Sequence, residues 1–407
     1  MSKEATKKEN QQSILQGPRP FVVEGTGNAA IDVPTVQSAV DNASADGPTR
    51  IDLKGRFVFD KSVTIKGWAA IYGLAFGKRA VIEGGRVPFV VAAGNKLVSI
   101  NGVHFVRPEE VAIKVQSANG LKIVNCKIEQ VQTVPAPVPA APGVTFPVAG
   151  GIVSDRNQII TGDVSIVGND IDIGVTDPVS RTFGIQLTAG NATTRADVTV
   201  SGNKVRNVTA HGIVLREIAG TAVVKENDID IGSVGGVNTN LPDNFVDAIM
   251  VQGAKPLVYT VTDNIINCGY ENSAGIRLQS TTAEPIKQAT ISKNQIKMSL
   301  PAGAVGGEES AGIELRRNCE ANNVSDNTVK GQARAVLAVL AGIVGTTNLV
   351  PKLNTFTGNT HANFTATKAD VLIGPAVDGT TVSSSTGGTK LTAGSLNTNV
   401  SPNYQEI

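Results

Sequence analysis

A six-residue pattern recurs through most of the chain and restricts what it can fold into. It reads IVGNDI at 166–171, VSGNKV at 200–205, VKENDI at 224–229, VTDNII at 261–266, ISKNQI at 291–296 and VSDNTV at 324–329. Each copy has an aliphatic residue, two small or polar residues, an Asn, one variable residue and a second aliphatic. INGVHF (100–105) and IVNCKI (123–128) put Val103 or Cys126 where Asn is expected, and FTGNTH (356–361) keeps Asn359. The recurring residues are Asn169, Asn203, Asn227, Asn264, Asn294, Asn327 and Asn359, spaced by 24 to 37 residues. A period in that range marks a repeat architecture, in which each unit buries its apolar side against its neighbours.

A second motif accompanies the first: AIKVQ (112–116), GIVSD (151–155), GIQLT (184–188), GIVLR (212–216), AIMVQ (248–252), GIRLQ (275–279) and GIELR (312–316). Both motifs alternate at period two, the signature of strands, and lack the i, i+3, i+4 spacing of helical repeats. With 43 Gly and 4 % aromatic residues, the composition describes many tight turns around a core of Val, Ile, Leu and Ala. Stacking such units pairs each strand with its copy in the next coil, giving an all-β parallel solenoid, a parallel β-helix. The repeated Asn is then a structural ladder, each amide donating to the Asn one coil on, with left-handed geometry expected at the Asn itself. A catalytic residue is needed once, and this one occurs in nearly every coil.

The ends differ from the middle. Residues 1–20 are charged and polar, without an apolar core of signal-peptide length, so they read as a flexible arm on a chain made in the cytoplasm. Val36, Ala39, Val40 and Ala43 share one helical face, with Pro34 near the first turn, predicting a short helix that caps the solenoid's open end. The solenoid is expected over 21–370, with a Pro-rich loop at 131–148 and a Ser/Thr/Gly-rich tail at 371–407 that is extended or ordered against a partner. The run AVLAVLAGIVG (335–345) falls well short of the ~20 residues of a membrane-spanning helix, so membrane insertion is not expected. A net charge of +1 gives no reason to expect nucleic acid. Cys126, Cys268 and Cys319 are too scattered for a disulfide framework or zinc site and read as small buried thiols.

VPTVQSAVDNA (33–43), followed by Gly-punctuated strands and the repeated GIxL and VxxNxI units, resembles the pectin-lyase-like right-handed β-helix superfamily over most of residues 20–370. The resemblance implies right-handed coiling and a dry core, with function on the outer faces. The superfamily includes polysaccharide lyases, glycoside hydrolases, epimerases, phage tailspikes and adhesins, so it specifies fold more than activity.

Aligning the repeats sets outward residues in columns about 4.8 Å apart. NDIDIG occurs twice and suggests a carboxylate pair, but the columns set Lys204 between Asp170 and Asp228, and Arg206 between Asp172 and Asp230. That pattern reads as a surface charge ladder. In the GIxL columns, His211, Arg216, Asp247, Arg277, Glu314 and Arg316 form one polar constellation on the outer face. For a uronate lyase, Arg277 or Arg316 would be the base and Asp247 and Glu314 the acid or metal ligands, with calcium as the one cofactor such a lyase would call for. For a hydrolase, Asp247 and Glu314 would be the carboxylate pair. His211 and Arg216 are binding candidates. The purely structural alternative pairs Glu314 with Arg277 across strands and with Arg316 along its own strand.

Against glycan processing stand a single Trp, Trp68, and four Tyr, too few to line a long sugar groove. His104, His211 and His361 make no metal-ligand spacing, so no metal site and no cofactor is predicted. The sequence favours a structural or binding β-helix, resembling a phage tail spike or fibre component or a surface-displayed shaft. Such a protein is expected to be a homotrimer in a virion or at a cell surface, with a polysaccharide or other virion or surface proteins as partners. The alternative is a polysaccharide lyase or glycoside hydrolase using the polar constellation.

Overall fold

A computed structural model describes residues 20–400, apart from 46–48, 76, 133–148, 175–181, 190–194, 232–245, 254–257, 270–272, 281–284, 300–309, 341, 345–346, 375, 384–388 and 392–398. The N-terminal arm and the Pro-rich loop fall outside the described residues.

Three parallel sheets wind about one axis. The first holds the strands that precede the Asn turn, such as Ala196–Ser201, Ala222–Lys225 and Tyr259–Thr262. The second holds the strands after it, such as Lys204–Arg206, Asp228–Asp230 and Ile265–Cys268. The third holds the GIxL strands, such as His211–Arg216, Ile249–Gly253 and Ala274–Ser280. Each strand pairs in parallel with its counterpart one coil away. The alternation dictates which side is buried: Val200, Val224, Val261, Ile291 and Val324 point inward at 0–1 % exposure, while the residues between them face out. Phe59, Phe89 and Phe105 stack edge to face inside the first coils.

The Asn ladder forms as the repeat demands. Asn203, Asn227 and Asn264 are 0–1 % exposed, and Nδ2 of each donates to Oδ1 of the next at 2.9–3.0 Å. The same Oδ1 also accepts the preceding Asn backbone N–H, at 3.0 Å for Asn203 to Asn227. A further Nδ2 bond returns to a backbone carbonyl of an earlier coil, as from Asn227 to Val200. Cys126 occupies the ladder position its sequence predicts, its N–H donating to Asn169 Oδ1 at 2.9 Å. One expectation is corrected: the left-handed residue is the one before each Asn, namely Gly168, Gly202, Glu226, Asp263, Lys293, Asp326 and Gly358, with φ of 56–65°. The turn is made there so that the Asn can keep its side chain inside.

Helix α1 (Ala29–Ala45) lies against the first strands of all three sheets, with Val36, Val40 and Ala43 fully buried. Asn28 caps it, accepting from the Ala30 N–H. Gln37 pairs with the backbone of Thr64, donating at 2.9 Å and accepting at 2.8 Å. The parallel pairing continues past residue 370, since Thr381–Ser383 pairs with Thr355–Thr357 and Asn399–Val400 with Thr381 and Val382. Part of the Ser/Thr-rich tail therefore makes coils of its own. All three cysteines are buried free thiols, and burial pushes Cys126 and Cys319 up to about 12.

Candidate functional site

The GIxL strands set the site. In each, the Ile and Leu point inward, so the residues between and after them face out. The register makes one column of Lys114, Val153, Gln186, Val214, Met250, Arg277 and Glu314, and a second of Thr188, Arg216, Gln252, Gln279 and Arg316. The Gly that opens the motif sits where there is no room for a side chain: a Cβ on Gly275 would lie 2.5 Å from Ile296 Cγ2 and 2.7 Å from the Gly312 carbonyl oxygen.

This outer face is not solvated as the sequence reading assumed. Val87, Val111, Val153, Phe183, Ala210, Val214 and Met250 form a buried cluster along it, and Ala311, Ala335, Ala338 and Leu372 form another further on. The charged constellation lies between them. Arg277, Asp247 and Glu314 are each 0 % exposed, and Arg277 is the largest fully buried side chain among the described residues.

Five of the six residues chosen from sequence converge on one line. One nitrogen of Arg277, Nη2, lies 3.0 Å from Glu314 Oε2 and 3.4 Å from Asp247 Oδ1. Arg316 Nη1 stands 3.8 Å from Glu314 Oε1. Asp247 Oδ1 accepts from the Ala274 N–H at 2.9 Å, and its Oδ2 lies 3.7 Å from His211 Nδ1. That Nδ1 in turn accepts the Asp247 backbone N–H at 3.1 Å, which assigns the ring proton to Nε2. His211 also packs on Phe183, ring centroids 5.6 Å apart. The result is a continuous line, His211–Asp247–Arg277–Glu314–Arg316. Arg216 lies in the second column with Nη2 at 3.9 Å from Met250 Sδ.

Burial pushes the Asp247 carboxyl up to about 6, an effect that Arg277 and the Ala274 N–H oppose and Glu314 reinforces. A raised carboxyl is the direction a general acid requires. Both carboxylates touch the same guanidinium, so their facing oxygens are no further apart than the two contact distances combined, which suits a carboxylate pair. Arg277 itself is engaged by both and fully buried, leaving Arg316, 17 % exposed, as the arginine nearer solvent. The guanidinium bridges the two carboxylates, so a calcium ion held by both would have to displace it. Among the described residues no group of three or more His, Cys, Asp or Glu could hold a metal.

Sequence reasoning did not single out Gln186, Thr188 and Gln279, buried members of the same columns. Gln186 Oε1, Thr188 Oγ1 and Gln279 Oε1 have no hydrogen-bond partner among the described residues, and neither Glu314 oxygen has a hydrogen bond of good geometry. Their signal was available, because the residue after the Leu or Val of the motif is polar in every coil from 188 to 316. A separate open cleft of about 310 Å³ on the second sheet is lined by Arg56, Val58, Glu83, Gly84, Arg107, Glu109 and Gln132. Ion-pairing with Arg56, and then with Arg107, holds the Glu83 carboxyl below the usual range. The NDIDIG carboxylates form the expected charge ladder, with Arg206 2.7 Å from Asp170 and 3.8 Å from Asp172.

Two solved structures share the fold across most of this chain. PfbA, a surface adhesin of Streptococcus pneumoniae, superposes with a TM-score of 0.53 at 14 % identity, over 90 % of this chain and 91 % of that one. A mutant tailspike protein of E. coli bacteriophage HK620, in complex with a pentasaccharide, gives 0.52 at 13 % identity, over 93 % and 76 %. No protein-family model and no curated protein matches the sequence. The fold is thus a pectin-lyase-like right-handed parallel β-helix with one helix near its N-terminus.

Proposed function

We propose that this chain is a glycan-binding rod of the tailspike and adhesin kind, working as a homotrimer in a virion or on a cell surface. The observation that carries the reading is the row Thr188, Arg216, Gln252, Gln279 and Arg316, one hydrogen-bonding side chain per coil along the GIxL sheet. Its repeat of about 4.8 Å suits an extended polymer of hydroxylated units. Arg216, Gln252 and Arg316 are half-buried, so the row reaches solvent at those coils and can present donors and acceptors to a ligand. The two similar structures, one a surface adhesin and one a tailspike holding a pentasaccharide, support the same reading.

The test is a glycan-array screen of the intact protein, followed by calorimetric titration of the best oligosaccharide against wild type, Arg216→Ala and Gln252→Ala. Binding that both substitutions weaken by about tenfold or more is expected, about 1.4 kcal/mol each. A protein that binds no glycan, or whose binding ignores both changes, overturns the reading. Light scattering should give the mass of three chains, and a monomer removes the trimeric form.

One observation favours catalysis as a second reading: Asp247, its carboxyl raised by burial, shares Arg277 with Glu314. In that reading Asp247 is the acid, Glu314 the second carboxylate and Arg316 the base of a lyase variant, with His211 and Arg216 binding substrate. New reducing ends or unsaturated products from an acidic or neutral polysaccharide, lost in Asp247→Asn, would establish it. Intact polysaccharide after prolonged incubation would remove it.

A further inference from the structure

The outer surface of the first sheet changes character along the rod. In the earlier coils its outward positions are mixed, as in Lys122 with Val124 and Val223 with Lys225. From residue 260 onward five successive coils read TVT (260–262), TIS (290–292), NVS (323–325), TFT (355–357) and TVS (381–383). The central residue of each points inward and is buried, so the flanking pair faces out. The pairing register sets every first position in one column and every last position in another, without a bulge. Hydroxyls touch along the columns, at 3.3 Å between Thr262 and Ser292 and 3.2 Å between Thr357 and Ser383. The result is a grid of small, uncharged polar groups, about 4.8 Å by 6.6 Å.

The other two outer faces differ. The second sheet carries its charges coil by coil, Lys204 and Arg206 in one and Asp228 and Asp230 in the next. The first outward column of the third is buried around a charged line. When identical rods pack side by side about an axis along their length, each coil meets the same coil of its neighbour. On the second sheet that would set Lys204 and Arg206 against their own copies, and like charges in apposition destabilise a contact. The hydroxyl columns themselves carry no charge, the nearest charges being Asp263, Lys293 and Asp326 at the turn along one edge, where Thr262 Oγ1 donates to Asp263 Oδ2 at 2.8 Å. Their partner also needs the same spacing over five coils, which a second copy of this chain has by identity.

We propose that copies of this chain associate in parallel through the hydroxyl face of residues 260–383. This rests on the oligomeric reading above and names the surface that makes it. The test uses the full chain with single cysteines at Thr290→Cys, Thr355→Cys and, on the charged sheet, Lys204→Cys, treated with a short bis-maleimide. Cys126, Cys268 and Cys319 are buried and do not compete. Crosslinked pairs are expected from Thr290→Cys and Thr355→Cys and not from Lys204→Cys. Thr290→Arg, which sets like charges face to face, should drop the mass to a single chain with an unchanged circular dichroism spectrum. An oligomer that crosslinks at Lys204→Cys alone, or a Thr290→Arg protein that keeps its mass, overturns this surface while leaving the oligomeric reading intact. A wild-type chain that is monomeric and uncrosslinked, its grid meeting an ordered water or polysaccharide surface instead, overturns both.

Discussion

Asn264 illustrates how one residue type holds successive coils in register. Its Oδ1 accepts both the N–H and the Nδ2 of Asn227, and its own Nδ2 reaches Asn294 Oδ1 and the carbonyls of Val224 and Thr262. Truncation to Ala orphans two buried donors on Asn227, each worth about 1–3 kcal/mol. Asn169 accepts only the Cys126 N–H from the coil before it, so its loss orphans one donor. Asn264→Ala should therefore destabilise by about 1–3 kcal/mol more than Asn169→Ala, read from urea denaturation midpoints at constant slope. Equal losses would mean that water or a neighbour replaces the side chain. The ladder was legible because the Asn recurs at one point of the pattern, Cys126 included. A second, shorter ladder was not: Asn322 Nδ2 donates to Asn354 Oδ1 at 3.0 Å. Its only trace is an Asn five residues before the main one in two coils, too short a series to separate from turn composition. The left-handed position was misplaced for a related reason. Asn tolerates that geometry in turns, but an inward amide needs ordinary strand-like backbone, so the residue before it, often Asp, Lys or Glu, takes the turn.

At the scale of the strand, period-two alternation gave the columns and hence the neighbours of Arg277, but not whether the outward side meets water. Val153, Val214 and Met250 in the same column were the available sign that it does not, since a solvated column has no reason to hold three large apolar residues. Burial changes the energetics of the charged line. Arg277→Leu would strand Asp247 and Glu314 without a shared counter-ion, a loss of about 3–5 kcal/mol. Adding Glu314→Leu removes one stranded charge, so the double variant should be more stable than Arg277→Leu alone, a reversal that an exposed surface pair would not show. The same line makes stability depend on pH. Burial raises the Asp247 carboxyl from 3.8 to about 6, so the folded protein holds this proton more tightly than the unfolded chain does. Its contribution is full below about pH 4 and is lost as pH rises through 6, a fall of about 3 kcal/mol. In Asp247→Asn that part of the pH dependence should vanish, and a wild-type profile with the same shape as the variant's between pH 4 and 6 would contradict the assignment.

Across the whole molecule, stability is nearly one-dimensional: each coil contacts the next, and an end left open frays before the middle. Helix α1 closes one end, and a single carboxylate fastens it. Asp32 is 1 % exposed and accepts four hydrogen bonds: Oδ1 from the N–H and Oγ1 of Thr26, Oδ2 from the N–H of Gly27 and of Val58. Burial works to raise its carboxyl, but these bonds, led by those from the Thr26 and Val58 backbone, outweigh burial and hold it below the usual range. The Val58 bond ties the helix to a strand of the first coil, Arg56–Phe59. Asp32→Ala takes the acceptor from the N–H groups of exposed Thr26 and half-buried Val58, while the Gly27 N–H keeps the Arg56 carbonyl at 3.1 Å, a loss of about 1–3 kcal/mol at the cap. In a globular core that loss would be shared by every residue. Here it should stay local, so hydrogen exchange in Asp32→Ala should quicken over the first coils, 50–72, and remain unchanged around Asn264 and Asn294. The depressed carboxyl gives the same result by acid: the cap's contribution is present above pH 3.8 and lost as pH falls through the lower folded value, so the first coils should open before the ladder does. Uniform acceleration along the chain would show that the coils unfold as one cooperative unit, with the cap serving the whole rod.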